Sequence, residues 1–396
     1  MEKVELPYWR LSGFYFFYFA SLGALLPYLG LYLNSIGLVA AQVGFIFAAM
    51  QATKLVSPSC LAWLSSRFND RMRLVQLSAL LSAVTFMLLF SQDTFMMILW
   101  SVLVFSFFWN AMLPQFESIT LTKLAGKTHA YSNIRLWGSV GFIATVAGAG
   151  FLLDCFGLSI WPWMVALCLL AIFISSLLLN EKGRTKHPES GVSVLKIVKE
   201  KRVIAFFLVV FLIQASHGAY YVFYSILLNS LNYSETEIGQ FWSLGVLAEI
   251  LLFMIIQHVF KHLSLRFVLL ISILLTSIRW LMIGWLADSI VALLIAQLLH
   301  AATFGSFHVV CIQLTHRYFQ GAAQDKGQAL YSSIGYGAGG MCGGLIAGGL
   351  WDSYGGAWVF TISSLLSFIA LWVAWFWIGQ NNNDDLHASG EGVSSL

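Results

Sequence analysis

Eight ionisable side chains lie inside long apolar runs: Lys54, Glu117, Arg135, His217, Glu249, Arg279, His300 and His308. A charge held at the centre of a membrane helix costs at least ~2.5 kcal/mol, so such residues face a cavity or a partner. Their types suit two tasks, recognition of a polar solute and movement of a proton. Glu117 ends one apolar run and Arg135 begins the next, with a short turn around 123–131 between them. On neighbouring antiparallel helices they share a depth and can pair. The pair is either a structural salt bridge or a bidentate site, with Arg135 holding a carboxylate or a hydroxyl pair in its planar fork. Asn110 lies seven residues before Glu117 on the same face, and Pro114 between them should kink the helix.

Further along, Gln214, His217 and Tyr221 follow an i, i+3, i+7 pattern and form one polar stripe. Glu249 and Arg279 fall in the middle of the next two apolar runs. Gln297, His300 and Thr303 line one face of the run after those. A carboxyl in a low-dielectric site is pushed towards neutrality, while a nearby guanidinium favours its charged form. A site balanced between the two can gain or lose a proton as its exposure changes. That makes Glu249, Arg279 and His300 candidates for proton coupling, and His300 offers an imidazole as an alternative proton carrier. Taken singly, each histidine reads first as an interhelical hydrogen bond, as is expected of His308. Lys54 stays open: it could snorkel towards Arg67 or pair with Glu117 or Glu249. Trp109, Trp137, Tyr221 and Trp242 sit beside the polar set and could stack on a planar ligand.

The elements that must position these groups are membrane helices. The chain has 396 residues, 59% hydrophobic and 10% charged, with mean hydropathy +0.80. A soluble domain carries about 25% charged residues. A span needs roughly 20 apolar residues, and twelve such runs are predicted: about 11–34, 42–64, 74–92, 95–122, 131–153, 158–179, 203–229, 238–260, 266–286, 289–316, 327–350 and 355–379. The first is long enough to span and is expected to be retained. Of 21 lysines and arginines, 18 fall in six connections that alternate with six connections holding none. The basic set is Lys3 and Arg10; Arg67, Arg71 and Arg73; Lys123 and Lys127; seven cations in 180–202; Lys261 and Arg266; Arg317 and Lys326. The other connections carry Asp93, Asp154, Glu235, Glu237, Asp288 and Asp352. Loop cations stay on the cytoplasmic side, so both termini are predicted to lie there.

The two halves repeat. Gly141, Gly150, Asp154 and Gly157 recur 198 residues later as Gly339, Gly348, Asp352 and Gly355, and Gln42-Val43-Gly44 resembles Glu237-Ile238-Gly239. The reading is therefore an all-α membrane protein of twelve transmembrane helices in two pseudo-symmetric six-helix bundles. The bundles are 1–180 and 203–380, with a cytoplasmic loop over 181–202 and a disordered tail over 381–396. Parallel repeats of this kind place the substrate between the halves near the midplane. Glycine-rich runs in spans 5 and 11 allow close helix approach. The five cysteines are scattered and show neither a disulfide nor a metal spacing. No clustered basic face suits nucleic acid. No metal motif, cofactor site or large catalytic loop points to an enzyme, and no added domain points to a receptor.

These residues resemble the major facilitator superfamily over essentially the whole chain. The likeness is to its branch of oligosaccharide:proton symporters and 3-phenylpropionic acid permeases. It rests on Ile134-Arg135-Leu136-Trp137-Gly138-Ser139-Val140-Gly141-Phe142, on Gln214-Ala215-Ser216-His217-Gly218-Ala219-Tyr220-Tyr221, and on Ser243-Leu244-Gly245-Val246-Leu247-Ala248-Glu249. Ile278-Arg279-Trp280 and Gln297-Leu298-Leu299-His300 with Thr303-Phe304 add to it. A more distant similarity to the lactose permeases implies sugar contacts for Glu117 and Arg135 and a coupling role for Glu249, Arg279 and His300. Thr303 stands where those permeases carry a proton-bearing glutamate, Gln297 where they have a lysine and Tyr221 where they have an aspartate. Their proton route therefore does not transfer, and Glu249 or His300 must carry the proton if coupling exists. The loop Ser65-Ser66-Arg67-Phe68-Asn69-Asp70-Arg71 lacks the superfamily's glycine and displaces its aspartate.

The resemblance implies a proton symporter that imports a small aromatic carboxylate by alternating access, as a monomer in a bacterial-type inner membrane. A sugar or nucleoside symporter is the alternative. The expected substrate-binding set is Asn110, Glu117, Arg135, Trp137, Gln214, His217, Tyr221 and Gln297. The expected coupling set is Glu249, Arg279 and His300. The expected partners are the solute, protons and the lipid bilayer, with no cofactor, metal or nucleic acid.

Overall fold

The computed structural model describes residues 7–67, 70–91, 94–124, 128–180 and 193–379. Lys3, Asp93, Lys127, Phe68 and Asn69 of the loop motif, most of the central loop and the tail after 380 lie outside the described residues. Every described span is helical. Helices α1 to α6 are Tyr8–Ser35, Ala40–Arg67, Arg71–Phe86, Phe95–Leu124, Thr128–Phe156 and Trp161–Leu177. Helices α7 to α10 are Lys201–Ser230, Glu235–His262, Leu265–Trp285 and Ile290–Tyr318. Eleven described helices are long and apolar enough to cross a membrane, and the last runs over Gly321–Trp377. It is broken at Gly355, whose φ of 76° lies in the left-handed region. We call 324–354 α11 and 356–377 α12, so the twelve expected spans are all accounted for. Gly157 turns α5 into α6 with the same backbone sign, φ 81°, a conformation that only glycine adopts without strain.

Local chemistry sets several helix starts. Asp70 accepts from the Arg73 amide, Ser264 from Phe267 and Ser289 from Ala292. Ser234 and Glu237 form a reciprocal capping box at the head of α8. Pro27, Pro58 and Pro114 lie inside α1, α2 and α4, where each removes a backbone donor. Two stretches, Ala301–Ser306 in α10 and Ser333–Gly339 in α11, wind as π-helix.

In the first half α1 packs on α5 and α6, and α3 on α4 and α6. In the second half α7 packs on α11, α8 on α10, and α9 on α12. The repeated residues hold equivalent places. A Cβ on Gly141 would strike Phe16 of α1, and one on Gly339 would meet Phe211 of α7. Gly150 abuts Glu235 at the head of α8, and Gly348 abuts Ala40 at the head of α2. Asp154 accepts from the Glu235 and Thr236 amides at 2.9 and 3.0 Å, and from the Thr236 hydroxyl. Asp352 accepts from the Ala40 amide at 3.1 Å. Each half thus caps a helix of the other with a carboxylate, where the helix dipole favours negative charge. Close glycine contacts continue this seal, Gly44 against Gly344 and Gly348, and Gly239 against Val146.

All of these cross-contacts lie at one end, the end that holds the acidic connections. At the opposite end the hydrogen bonds among the described residues stay within a half. Arg10 donates to Leu178, Lys123 to Asn180 and Gln76 to Ser176 and Leu179, while Arg266 donates to Gly379 and Trp375. The apolar core divides the same way. One buried cluster crosses from the first half into α7–α12, and a second is confined to residues 203–378.

Candidate substrate and coupling site

The first half presents an ion pair to the interior. Pro114 precedes Glu117 by one turn on α4, and Arg135 lies about two turns into α5. Arg135 Nε lies 3.5 Å from Glu117 Oε1, and the two side chains are 35% and 31% exposed. Phe19 and Tyr15 of α1 flank the guanidinium at 4.3 and 5.4 Å. Tyr15 donates to Thr120. Behind it, Tyr18 stacks on Trp109 at 5.2 Å, and Trp109 Nε1 donates to Ser21. This is a polar pair with aromatic walls that is open enough to meet a solute.

Two residues of the expected binding set are placed differently. The Asn110 amide nitrogen donates to Met50 O at 3.2 Å and to Thr53 Oγ1 at 2.8 Å, tying α4 to α2. Trp137 donates to the Tyr8 hydroxyl at 3.1 Å and lies against Trp9, at the end of the bundle near the amino terminus. Among the described residues, neither bonds to Glu117 or Arg135.

The second half holds a more deeply buried network. His300 Nε2 lies 3.2 Å from Glu249 Oε1, with the side chains 9% and 14% exposed. The approach is at ion-pair distance without hydrogen-bond alignment. Arg279 is fully buried and donates from Nε to Ala296 O at 2.8 Å and from Nη2 to Gln297 Oε1 at 3.4 Å. Its guanidinium lies 4.5 and 4.8 Å from the Tyr220 and Trp280 rings. Among the described residues Arg279 makes no ion pair with Glu249. Tyr220 neighbours both Arg279 and His300, donating to Gln297 Oε1 at 3.1 Å with its ring 5.8 Å from His300. His217 Nδ1 meets Ile213 O at 2.8 Å, and its ring packs on Trp280, Phe304 and Tyr221. Gln214 is buried against Gly335 and Gly339 of α11.

This pocket is rich in unused polar atoms. Among the described residues, Arg279 Nη1, Gln297 Nε2, Gln214 Nε2, His217 Nε2 and His300 Nδ1 are buried without a hydrogen-bond partner. Buried polar groups are nearly always satisfied, so a cluster of exceptions needs a reason. His308 is satisfied: its Nδ1 meets the Tyr331 and Tyr336 hydroxyls at 2.8 and 3.1 Å. Both π-helical stretches border this region, and π-turns within α-helices concentrate at functional sites.

The sequence pattern missed several participants. The i, i+3, i+7 stripe selects Tyr221, yet Tyr220, itself i+3 from His217, meets Gln297 and Arg279. Trp280 donates to Ser216 at 3.1 Å, and its position next to Arg279 was the available signal. Tyr331 and Tyr336 carried none, because their role depends on how α11 meets α10.

The family model described as "MFS_1 like family" matches residues 8–362. A protein of Escherichia coli (strain K12), described as a probable 3-phenylpropionic acid transporter, is 29% identical over 379 residues, covering 92% of this chain and 96% of its own. A maltose permease of Geobacillus stearothermophilus is 22% identical over 91% of this chain and 92% of its own. Among solved structures, the nucleoside transporter NupG, as a D323A mutant, superposes with a TM-score of 0.85 at 18% identity, covering 94% of this chain and all of that one. That likeness shows the fold. The chain belongs to the MFS_1-like family and is a multi-pass membrane transporter of the major facilitator type, not an enzyme.

Proposed function

We propose that the protein is a proton symporter that imports a small, phenylpropionate-like aromatic carboxylate by alternating access. The observation that carries this reading is the set of buried donors without acceptors on Arg279, Gln297 and Gln214, walled by Tyr220, Trp280 and Phe304. An ionised carboxylate offers acceptors only, on two oxygens, and an aryl group suits the aromatic walls. The relative described as a 3-phenylpropionic acid transporter supports the same substrate class. Arg279 holds the carboxylate from the second half. Arg135 is already compensated by Glu117 and contacts the solute from the first half, with Tyr221 and Gln214 lining the path. Glu249 and His300 exchange the coupling proton, because their approach is the one buried acid–imidazole contact in the network.

The units that rock are the bundles 1–180 and 203–380, joined by the 181–202 loop. The sealed end faces outside and both termini face the cytoplasm, so the conformation is inward-open. The protein works as a monomer in a bacterial-type inner membrane.

One observation favours a second reading. The Glu117 carboxylate is nearly a third exposed, and an acid in a binding site accepts hydroxyls, which sugars and nucleosides carry and arylpropionates lack. The test is uptake into proteoliposomes under an inward proton gradient. Radiolabelled 3-phenylpropionate should accumulate, while maltose and uridine should not. Accumulation of uridine or maltose in its place would move the assignment to the second reading.

A further inference from the structure

Lys54 is the interior cation that the network above does not use. It lies on α2, and helical spacing fixes the face it occupies. Phe45, Val56 and Trp63 are 47%, 54% and 56% exposed and mark the outer face of α2. Lys54 lies on the opposite side, one or two turns from Phe47, Met50, Ser57 and Leu61, all buried. It therefore points into the protein and not towards lipid. The neighbouring faces are assigned too. Thr53 bonds Ser106 and Asn110 of α4, Gln51 donates to Tyr336 O of α11 at 3.3 Å, and Leu55 covers Gly337. These contacts set Lys54 level with the π-helical stretch of α11, between the two halves.

Among the described residues no carboxylate answers Lys54. Glu117 is paired with Arg135, and Glu249 lies against His300. Away from the span ends, the described helices carry three cations, Lys54, Arg135 and Arg279, against two carboxylates, Glu117 and Glu249. The interior therefore holds one formal positive charge in excess. One turn along the same face as Lys54, the Ser57 hydroxyl is fully buried and has no hydrogen-bond partner. A half-buried ammonium without an acid and a buried hydroxyl without a partner share one face.

We propose that Lys54 and Ser57 form an anion subsite of the first half, which takes one oxygen of a monoanionic carboxylate while Arg279 holds the other from the second half. This rests on the reading of the substrate as a carboxylate and adds a residue that clamps it across the interface. A substrate bridged between halves offsets the excess charge and ties binding to the contact that alternating access must make and break.

The test is binding of 3-phenylpropionate and of its neutral counterpart 3-phenylpropanol to the detergent-purified full chain, followed by thermal shift and calorimetry. In Lys54→Gln the carboxylate should bind about 10- to 100-fold more weakly, the range for losing a charge-assisted hydrogen bond. The alcohol should change less than about twofold, and Lys54→Arg should recover much of the carboxylate affinity. Equal carboxylate affinity in wild type and Lys54→Gln overturns the subsite and leaves the substrate reading standing. A wild type that binds the alcohol as tightly as the carboxylate overturns both. If Lys54→Gln does not fold, reductive methylation of Lys54 in the wild type decides. The carboxylate should slow the modification and the alcohol should not, and equal rates with both overturn the subsite.

Discussion

The two halves carry the same kind of pair in different surroundings. Glu117 and Arg135 lie 3.5 Å apart and are about a third exposed, while Glu249 and His300 lie 3.2 Å apart and are 14% and 9% exposed. The first pair is open to the space between the bundles, so a solute can compete for either partner. The second is closed off by Tyr220, Gln297 and Phe304, so its charge state changes only if a proton or a helix moves. A fully exposed pair contributes little to stability, whereas breaking a buried one leaves an uncompensated group. In the proposed mechanism the open pair therefore reads the solute and the closed pair reads the proton.

The largest effect is expected at Arg279. Arg279→Ala removes the charge, two hydrogen bonds and two ring contacts from a fully buried site, and uptake should fall by more than about 100-fold. Uptake within about tenfold of wild type would show that the closed network is not part of the transport path. Next comes Glu249→Gln. Substrate exchange between two loaded compartments should persist, while uphill accumulation driven by a pH gradient is lost. Retained accumulation would move the coupling role away from the closed pair. Arg135→Lys should raise the apparent KM about tenfold, because a point charge cannot replace a planar fork at an open pair; an unchanged KM would remove Arg135 from solute contact. The smallest effect belongs to Trp137→Phe. Its indole is bonded to Tyr8 at the end of the bundle, so KM should move less than about twofold, and a larger rise would return Trp137 to the binding site.

The sealed end gives a test that leaves both pairs intact. A Cβ on Gly239 would lie 2.5 Å from the Tyr28 hydroxyl and 2.6 Å from Val146 O. Gly239→Trp should force the halves apart there, and cysteines placed beside Asp154 should then react faster with impermeant maleimide. Unchanged labelling would show that the seal tolerates the insertion.

Much of this was legible in the sequence because it follows from one-dimensional rules. Apolar run length places the spans, and the Gly141–Gly157 repeat at 339–355 marks two related halves. The structure gives those repeated residues matching work: close approach for Gly141 and Gly150, capping for Asp154, a turn for Gly157. The site was legible as a set of residues but not as a set of contacts. Glu117 meets Arg135 because one short turn joins their helices. Arg279, expected beside Glu249, turns to Ala296 and Gln297 instead, with Tyr220 against its guanidinium. Those partners come from α7 and α10, and spacing along α9 contains nothing of either. Asn110 shares a helical face with Glu117, yet α2 offers it Thr53 and the Met50 carbonyl, and spacing along α4 contains nothing of α2.

Proton–carboxylate symport has a direct signature. In weakly buffered medium, adding 3-phenylpropionate to proteoliposomes that contain the protein should make the outside more alkaline as substrate and proton enter together. The change should be absent from empty vesicles and from Glu249→Gln vesicles. Entry of the carboxylate with no change in external pH would contradict proton coupling and reduce the closed pair to a structural contact.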